Sequence, residues 1–477
     1  MLPARGPAMH QLTQAILLPG LIALALAASM FLATSPSTCE RLLLITAALI
    51  SAYAVITRAP EVALVLFLFA GEFKAAPLLA PLNETLDLTL LFGLLLLAAG
   101  VRIAFTTGLR DPGGALALVW VLLCCLSLAS LLWTPSMDYG FNKSLNFITL
   151  SSLAFLGPVI IASAGRLHLS RYLASLLLFS VAYSASVLPG VIRAPSSLDF
   201  VFVPGSSYLG LGRVASVGVL ILLTYVLPRG RVAAALSMVL LTVVGGALLA
   251  SGGRGPVLAV GLALVVLVAA CITLRSGRGL IVVTYVPMII GLVAALAHSG
   301  LLPANTAYRF SLLAPDMVSQ DTSESLSTRT RLDMWDSAWQ AISSRPLSGV
   351  GSGGFAEWYS GKDVREYPHN VFLEVGSELG VFGILLLFLL LAIPLRTWFR
   401  SAQVRMPDEE ILLRICVLGL LVAGWANAMV SGDLNDNRLA WMACGFVVAA
   451  CRQPSRRQRK NQRSLFTGGA EAHSWQE

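Results

Sequence analysis

Long apolar runs separated by short polar segments fill almost the whole chain. Runs of about 20 apolar residues are long enough to cross the hydrocarbon core of a bilayer as α-helices. We count about fourteen such runs, and the first indicates a retained span rather than a cleaved signal peptide. The runs cover residues 15–34, 41–57, 61–80, 86–104, 114–133, 144–165, 170–190, 213–228, 232–250, 255–274, 279–301, 379–399, 411–431 and 438–451. The pattern predicts an all-α, polytopic membrane protein with about 12–14 transmembrane helices.

Basic residues lie in alternate connections between these runs, such as Arg229 and Arg231 or Arg396 and Arg400, and in the C-terminal tail. Cytoplasmic loops carry an excess of lysine and arginine, so both termini are predicted to be cytoplasmic. Only 12% of the residues are charged, the mean hydropathy is +0.78, and the net charge is +8. The positive-inside pattern already explains that charge, and a nucleic-acid partner is therefore disfavoured.

One predicted outer connection, residues 302–378, is far longer than the others. Loops of this length are usually functional or form a small domain. The chain therefore divides into N-terminal transmembrane helices (1–301), a long periplasmic loop (302–378), C-terminal transmembrane helices (379–451) and a basic cytoplasmic tail (452–477). The loop carries many carboxylates and also His369.

Within this loop, apolar residues recur at helical spacing and predict an amphipathic helix. They are Leu332, Trp335, Trp339 and Ile342. Arg329 and Arg331 lie at the start of that helix, where the helix dipole disfavours cations. This placement suits an anion-binding site, and a solvated charged turn is an equal alternative.

Gly349, Gly351 and Gly354 follow in the spacing G-x-G-x-x-G. A dinucleotide-binding turn of this kind follows a strand, whereas this one follows a predicted helix and a proline. The glycines indicate instead a turn in which the backbone approaches something closely. The seven cysteines show no metal-ligand spacing.

Further polar residues lie at predicted outer ends of spans. They are Arg213 in "YLGLGRVAS", Arg254 in "SGGRGP", and Asp433 and Asp436 in "SGDLNDN". Interfacial arginines often only extend their side chains to the membrane surface. These arginines, however, share a face with His369, which indicates that they bind a phosphate or pyrophosphate headgroup. Glu72 and Lys74 form a second polar site, or more simply pair with each other or mark the end of their span.

The strings "RTRLDMWDSAWQAISSRPLSGVGSGGF", "YPHNVFLEVGSELGVFG" and "SGDLNDNRLAW" resemble the signature of the O-antigen ligase and polymerase superfamily. The weaker pieces "SLLWTPSMDYGFNKSL", "YLGLGRVAS" and "SGGRGP" are similar to its N-terminal motifs, so the resemblance covers about residues 127–450. It implies a GT-C-like helical glycosyltransferase of the bacterial inner membrane, without metal or cofactor. Such an enzyme moves a glycan from undecaprenyl pyrophosphate to an acceptor hydroxyl at the periplasmic face. The implied site comprises His369, Asp433, Arg213, Arg331, Arg329 nearby and, with a less defined role, Arg254.

The chemistry of these side chains agrees with the resemblance. A sugar hydroxyl needs a base to take its proton, and His369 fits that role with a pH dependence in the ordinary histidine range. Arg213 and Arg331 can stabilise the charge that develops on the leaving pyrophosphate. Asp433 can hold His369 or an arginine in place. Glu374 is the alternative base, and a purely structural role for His369 is the remaining alternative.

Three functional classes remain open at this stage. A ligase that transfers a finished polymer to lipid A-core is favoured over a polymerase that joins lipid-linked repeat units. A flippase for lipid-linked sugars would also need many spans, but its polar residues would line a pathway at the membrane midplane. A structural membrane subunit does not explain the arginines.

Overall fold

The computed structural model describes residues 38–451 except 78, 110, 112, 194–199, 275–280, 286, 289–290, 292–307, 309–322 and 403–405. Within that part the chain is helical and contains no β-strand. The N-terminal helices are α1 (Thr38–Arg58), α2 (Pro60–Phe73), α3 (Ala80–Thr85), α4 (Leu88–Thr106), α5 (Gly114–Ala129), α6 (Asp138–Asn146), α7 (Ser152–Ala164), α8 (Arg166–Arg193), α9 (Tyr208–Ile221), α10 (Arg231–Ala250) and α11 (Arg254–Leu274). The C-terminal helices are α12 (Ser323–Ser344), α13 (Gly354–Ser360), α14 (Val371–Ala402), α15 (Asp408–Ala428) and α16 (Arg438–Cys451).

The prediction of an all-α polytopic membrane protein is confirmed. Among the described residues, nine helical segments are long and apolar enough to cross a bilayer, or up to ten with one bent pair. Predicted span 15–34 and most of predicted span 279–301 lie outside the described residues. Helix α14 starts at Val371, ahead of the predicted span at 379–399, and carries Glu374 and Glu378 before a non-helical break at Gly380.

The second and third predicted spans differ from the sequence prediction. Helices α1 and α2 meet at a bend of 110°, so they form a broken span or a re-entrant loop rather than two straight spans. The break lies at Ala59-Pro60, where proline is the first residue of α2 and a preceding helical residue is sterically disfavoured. Helix α2 also ends at Phe73, short of the predicted boundary at residue 80.

Helix α16 has only 14 residues, yet it is buried along almost its whole length. Its Trp441 lies in an aromatic cluster with Trp120, Trp425 and Phe147. Edge-to-face pairs of this kind contribute about 0.5–1.5 kcal/mol each beyond their buried area. A helix surrounded by protein does not need the length of a lipid-facing span, which explains why the last predicted span is short.

The bundle has two polar ends. At one end the buried carboxylate of Glu61 lies 2.7 Å from Nε of Arg171 and 2.9 Å from Nδ1 of His168, which joins α2 to α8. The other end carries Arg213, Arg331, His369 and Asp433, contributed by different segments of the chain. That second end contains the candidate site.

Candidate functional site

The connection between α15 and α16, residues 429–437, is the centre of the site, and we call it the acidic loop. Arg331 on α12 donates from Nη1 to the carbonyl oxygen of Val430 at 3.2 Å. Arg213 on α9 donates from Nη2 to Oγ of Ser431 at 3.0 Å. Two arginines distant in sequence therefore converge on adjacent residues of one loop.

A third arginine, Arg365, binds the carboxylates of the same loop. Its Nε lies 2.9 Å from Oδ2 of Asp433, and its Nη2 lies 2.7 Å from Oδ2 of Asp436. The sequence predicts that Asp433 holds either His369 or an arginine. In the structure its partner is an arginine, Arg365. Sequence reasoning missed Arg365, although it lies four residues before His369 in "REYPH".

Asp433 is almost fully buried and is held from several directions. Its Oδ1 accepts the backbone N–H groups of Asn435 and Asp436, and its Oδ2 accepts the hydroxyl of Tyr139 at 3.3 Å. Burial alone would raise the pKa of this carboxyl group. The charges of Arg365 and Lys143, together with these hydrogen bonds, hold the pKa of Asp433 below its usual range, so it is a fixed anion.

Beneath the acidic loop, a lysine and two glutamates form a buried ion cluster. Nζ of Lys143 lies 2.6 Å from Oε1 of Glu374 and 2.6 Å from Oε1 of Glu378. Oε1 of Glu374 also accepts the backbone N–H of Leu434 at 3.1 Å. Buried charges persist only when they are paired, so this cluster ties α14 and α6 to the acidic loop. Glu374, the alternative base, is buried and already bonded through Oε1.

His369 lies immediately before α14, at the end of the segment that carries Arg365. It is the only non-glycine residue with positive φ in the described ranges, with φ of 54°. The carbonyl oxygen of the preceding Pro368 accepts Nε1–H of Trp335 at 2.7 Å. On the other side, Oδ1 of Asn370 caps α14 by accepting the N–H groups of Phe372 and Leu373.

The environment of His369 keeps its ring neutral. Partial burial and the positive charges of Arg331 and Arg365 lower its pKa from 6.5 to about 4, and the negative charge of Asp433 offsets only part of this. The ring lies against Tyr367, with centroids 4.6 Å apart. In the part of the chain that the structure describes, no side chain hydrogen-bonds the imidazole. A neutral, unbonded imidazole is available to accept a proton.

Comparison with family models gives a match for one segment of the chain. The model described as O-antigen ligase matches residues 236–388. This match supports the O-antigen ligase and polymerase superfamily. No curated protein matches it in a sequence search. The match implies a membrane enzyme of the glycosyltransferase type, with a lipid-linked glycan and a glycan acceptor as its general substrates.

The superfamily match includes Arg254, Arg331 and His369 but not Arg213 or Asp433. The structure brings the latter two to the matched segment through the acidic loop. Arg254 is the first residue of α11, and Gly255 beside it packs against the side chain of Val430. Arg329 is exposed, two residues before Arg331 on α12.

The glycine-rich turn at residues 349–354 is a packing element. The N–H groups of Val350 and Gly351 donate to the carbonyls of Ser377 and Glu378, both at 2.8 Å, next to a break in α14 at Gly380. On its other side the turn meets Thr134 and Gly140. The sequence predicts that the backbone of this turn approaches something closely, and this is confirmed. What the turn approaches is the backbone of the same chain, at residues 134, 140, 377 and 378.

We expect Gly351→Ala to destabilise the fold strongly. Gly351 has φ of +93°, and an added Cβ would overlap the backbone of Thr134. The matched control is Gly361→Ala, since Gly361 has φ of +69° but open space around it. Thermal unfolding in detergent should show a loss of about 1–2 kcal/mol for Gly361→Ala and a several-fold larger loss for Gly351→Ala. Equal losses would contradict the packing role of the turn.

Two other sequence predictions require correction. Lys74 pairs with Asp87 at 3.2 Å rather than with Glu72, whose Oε2 accepts Oγ–H of Ser206 at 2.6 Å. Glu72 does lie in the last turn of α2, as a residue that marks a helix end.

Helix α12 exists as predicted, but its buried face is different. Met334, Ala338 and Ala341 pack inward, whereas Leu332 and Trp339 are 52% and 59% exposed. Each of these buried residues, two of them alanines, lies one position before a predicted core residue, namely Trp335, Trp339 or Ile342.

Proposed function

We propose that this protein transfers a glycan from undecaprenyl pyrophosphate to an acceptor hydroxyl, with lipid A-core as the favoured acceptor. The reaction takes place at the periplasmic face of the bacterial inner membrane and inverts the anomeric configuration. The observation that carries the proposal is the placement of a neutral His369 next to Arg331 and the acidic loop, which also holds Arg213. A candidate base and candidate anion-binding groups lie together at one end of the bundle, which supports the proposal.

In the proposed step, the acceptor oxygen attacks the anomeric carbon from the face opposite the pyrophosphate. Its proton passes to the imidazole of His369 as the new C–O bond forms. The bond between the anomeric carbon and the pyrophosphate oxygen breaks, and its electron pair remains on the pyrophosphate. Arg213 and Arg331 bind this anion, and Arg254 and Arg329 are further candidates for its contact. The guanidinium groups supply the positive charge, so the proposal requires no metal.

The pKa of His369 predicts an unusual pH profile. In the free enzyme, a pKa of about 4 keeps the imidazole unprotonated above that pH. We expect kcat/KM to fall only as the pH drops through about 4, below the ordinary histidine range. Bound pyrophosphate offsets the charge of Arg331 and favours the imidazolium, so the acid limb of kcat should lie at higher pH. Steady-state rates measured from pH 3.5 to pH 8 test this, and coincident limbs near 6.5 in both profiles would contradict it.

The proposed orientation places both termini in the cytoplasm and the His369 end of the bundle in the periplasm. Ser360 is an exposed residue of α13 near that end. In a variant without native cysteines, Ser360→Cys should react with a membrane-impermeant maleimide in intact spheroplasts. Labelling only after lysis would show that the orientation is the reverse of the one proposed and would exclude chemistry at the periplasmic face.

A deletion strain distinguishes a ligase from a polymerase. We expect lipopolysaccharide without O-antigen, with full-length polymer retained on the lipid carrier, because a ligase acts after polymerisation. Core capped by a single repeat unit would assign the polymerase reaction instead. Complementation with wild-type protein and with His369→Gln provides the control.

A further inference from the structure

His369 adopts a backbone conformation that L-residues rarely occupy. The left-handed region places Cβ near the following carbonyl, which is unfavourable for residues other than glycine and, to a lesser degree, asparagine and aspartate. Such a conformation persists only where the surrounding contacts enforce it. The direction of the imidazole therefore depends on what fixes the chain on both sides of residue 369.

On the C-terminal side, the Asn370 cap and helix α14 fix the chain. On the N-terminal side, the chain from Gly361 to Glu366 has no regular secondary structure and is largely exposed. Three sets of contacts hold this side. The carboxylate of Asp363 accepts hydrogen bonds from Oγ of Ser136 and from the backbone N–H groups of Asp138 and Tyr139. Closer to His369 are the pair of ion pairs made by Arg365 and the hydrogen bond from Trp335 to Pro368.

Arg365 spans two carboxylates with one planar group. Asp433, one of the two, is itself fixed by backbone N–H groups and by Tyr139, so it is a rigid anchor. The acidic loop that carries Asp433 also accepts hydrogen bonds from Arg213 and Arg331. Through Arg365, the segment that ends in His369 is therefore attached to the same loop as the two arginines proposed to bind pyrophosphate.

We propose that Arg365 is a positioning residue: by bridging Asp433 and Asp436, it sets the imidazole of His369 relative to Arg213 and Arg331. This inference rests on the proposed function only where it states how Arg365 affects turnover. The attachment itself is a structural property of the protein without substrate. Nε and Nη2 of Arg365 are both committed to the carboxylates, which favours positioning over direct binding of the donor.

The test uses the full-length protein in nanodiscs with Arg365→Gln, Arg365→Lys and Asp436→Asn. Asp436 is 41% exposed and Arg365 is 52% exposed, so these substitutions leave the buried core intact. Arg345→Gln is the matched control, because Arg345 is an exposed arginine after α12 that lies outside the ion-pair cluster. For each variant we would measure the ¹³Cε1 NMR signal of His369, assigned with His369→Gln, together with donor affinity and turnover.

Arg365→Gln should shift and broaden the His369 signal without substrate, lower kcat by about 10²-fold, and change donor affinity by about 3-fold or less. Asp436→Asn should produce a smaller change of the same kind. Lysine should restore turnover only in part, since an ammonium group cannot span two carboxylates as a fork does. Arg345→Gln should match wild type in every measurement.

An unchanged His369 signal in Arg365→Gln would overturn the inference. A loss of donor affinity as large as the loss of turnover would assign Arg365 to the binding of pyrophosphate and would also overturn it. If wild-type protein shows no glycan transfer, the proposed function fails, while the His369 signal still decides whether Arg365 positions the ring.

Discussion

His369→Ala should lower the turnover of glycan transfer by about 10²–10⁴-fold while leaving donor binding nearly unchanged. The imidazole is half-buried and neutral, and no described side chain hydrogen-bonds it, so its removal breaks no structural bond of the ring. The contacts that order the neighbouring chain, from Trp335 to Pro368 and from Asn370 to α14, involve other residues and remain. The loss should therefore appear in kcat.

His369→Asn is the matched control for backbone strain. Asparagine tolerates the left-handed conformation better than alanine, but its amide cannot act as a base near neutral pH. Both variants should show the same loss of turnover and a similar thermal midpoint. Near-normal turnover in His369→Asn would transfer the role of base to a carboxylate, and Glu374 would become the first candidate despite its bond to Lys143.

Alanine at Arg213 or at Arg331 should weaken donor binding and reduce turnover, by about 10²–10³-fold in kcat for each. This corresponds to the loss of on the order of 3–4 kcal/mol of transition-state stabilisation. Each guanidinium uses one nitrogen to bond the acidic loop, Nη2 in Arg213 and Nη1 in Arg331. The remaining donors of the fork are left for the anion.

Lysine substitutions separate charge from geometry. An ammonium group retains the charge but cannot bond the loop and the pyrophosphate as a planar fork does, so rescue should be partial. Arg345→Ala again supplies the control for a distant positive charge. Full activity with lysine at both positions would mean that Arg213 and Arg331 act only through long-range charge.

Most of the fold class was predictable because lipid imposes a strong pattern on sequence. Long apolar runs with alternating basic connections leave few alternatives to a helical membrane bundle. The bend between α1 and α2 was harder to predict from the sequence, because hydropathy shows where the apolar runs lie but not the angle between them. The Pro60 signal was present in the sequence and indicates a break, not its angle.

The candidate site was predictable at the residues that carry distinctive chemistry. Arginines and a histidine at one face of a membrane protein are costly and therefore conspicuous. Arg365 and Lys143 were missed because their significance lies in partners that are distant in sequence. Arg365 binds Asp433 and Asp436, and Lys143 binds Glu374 and Glu378, and only the folded chain brings these groups together.

The most direct test combines purified protein in nanodiscs with a defined undecaprenyl-pyrophosphate glycan and lipid A-core. NMR of the product should show one new glycosidic bond with inverted anomeric configuration, formed by wild-type protein and reduced by about 10²-fold or more in His369→Gln. A product with retained configuration, or wild-type rates in His369→Gln, would contradict the role of His369 as the base for an inverting transfer.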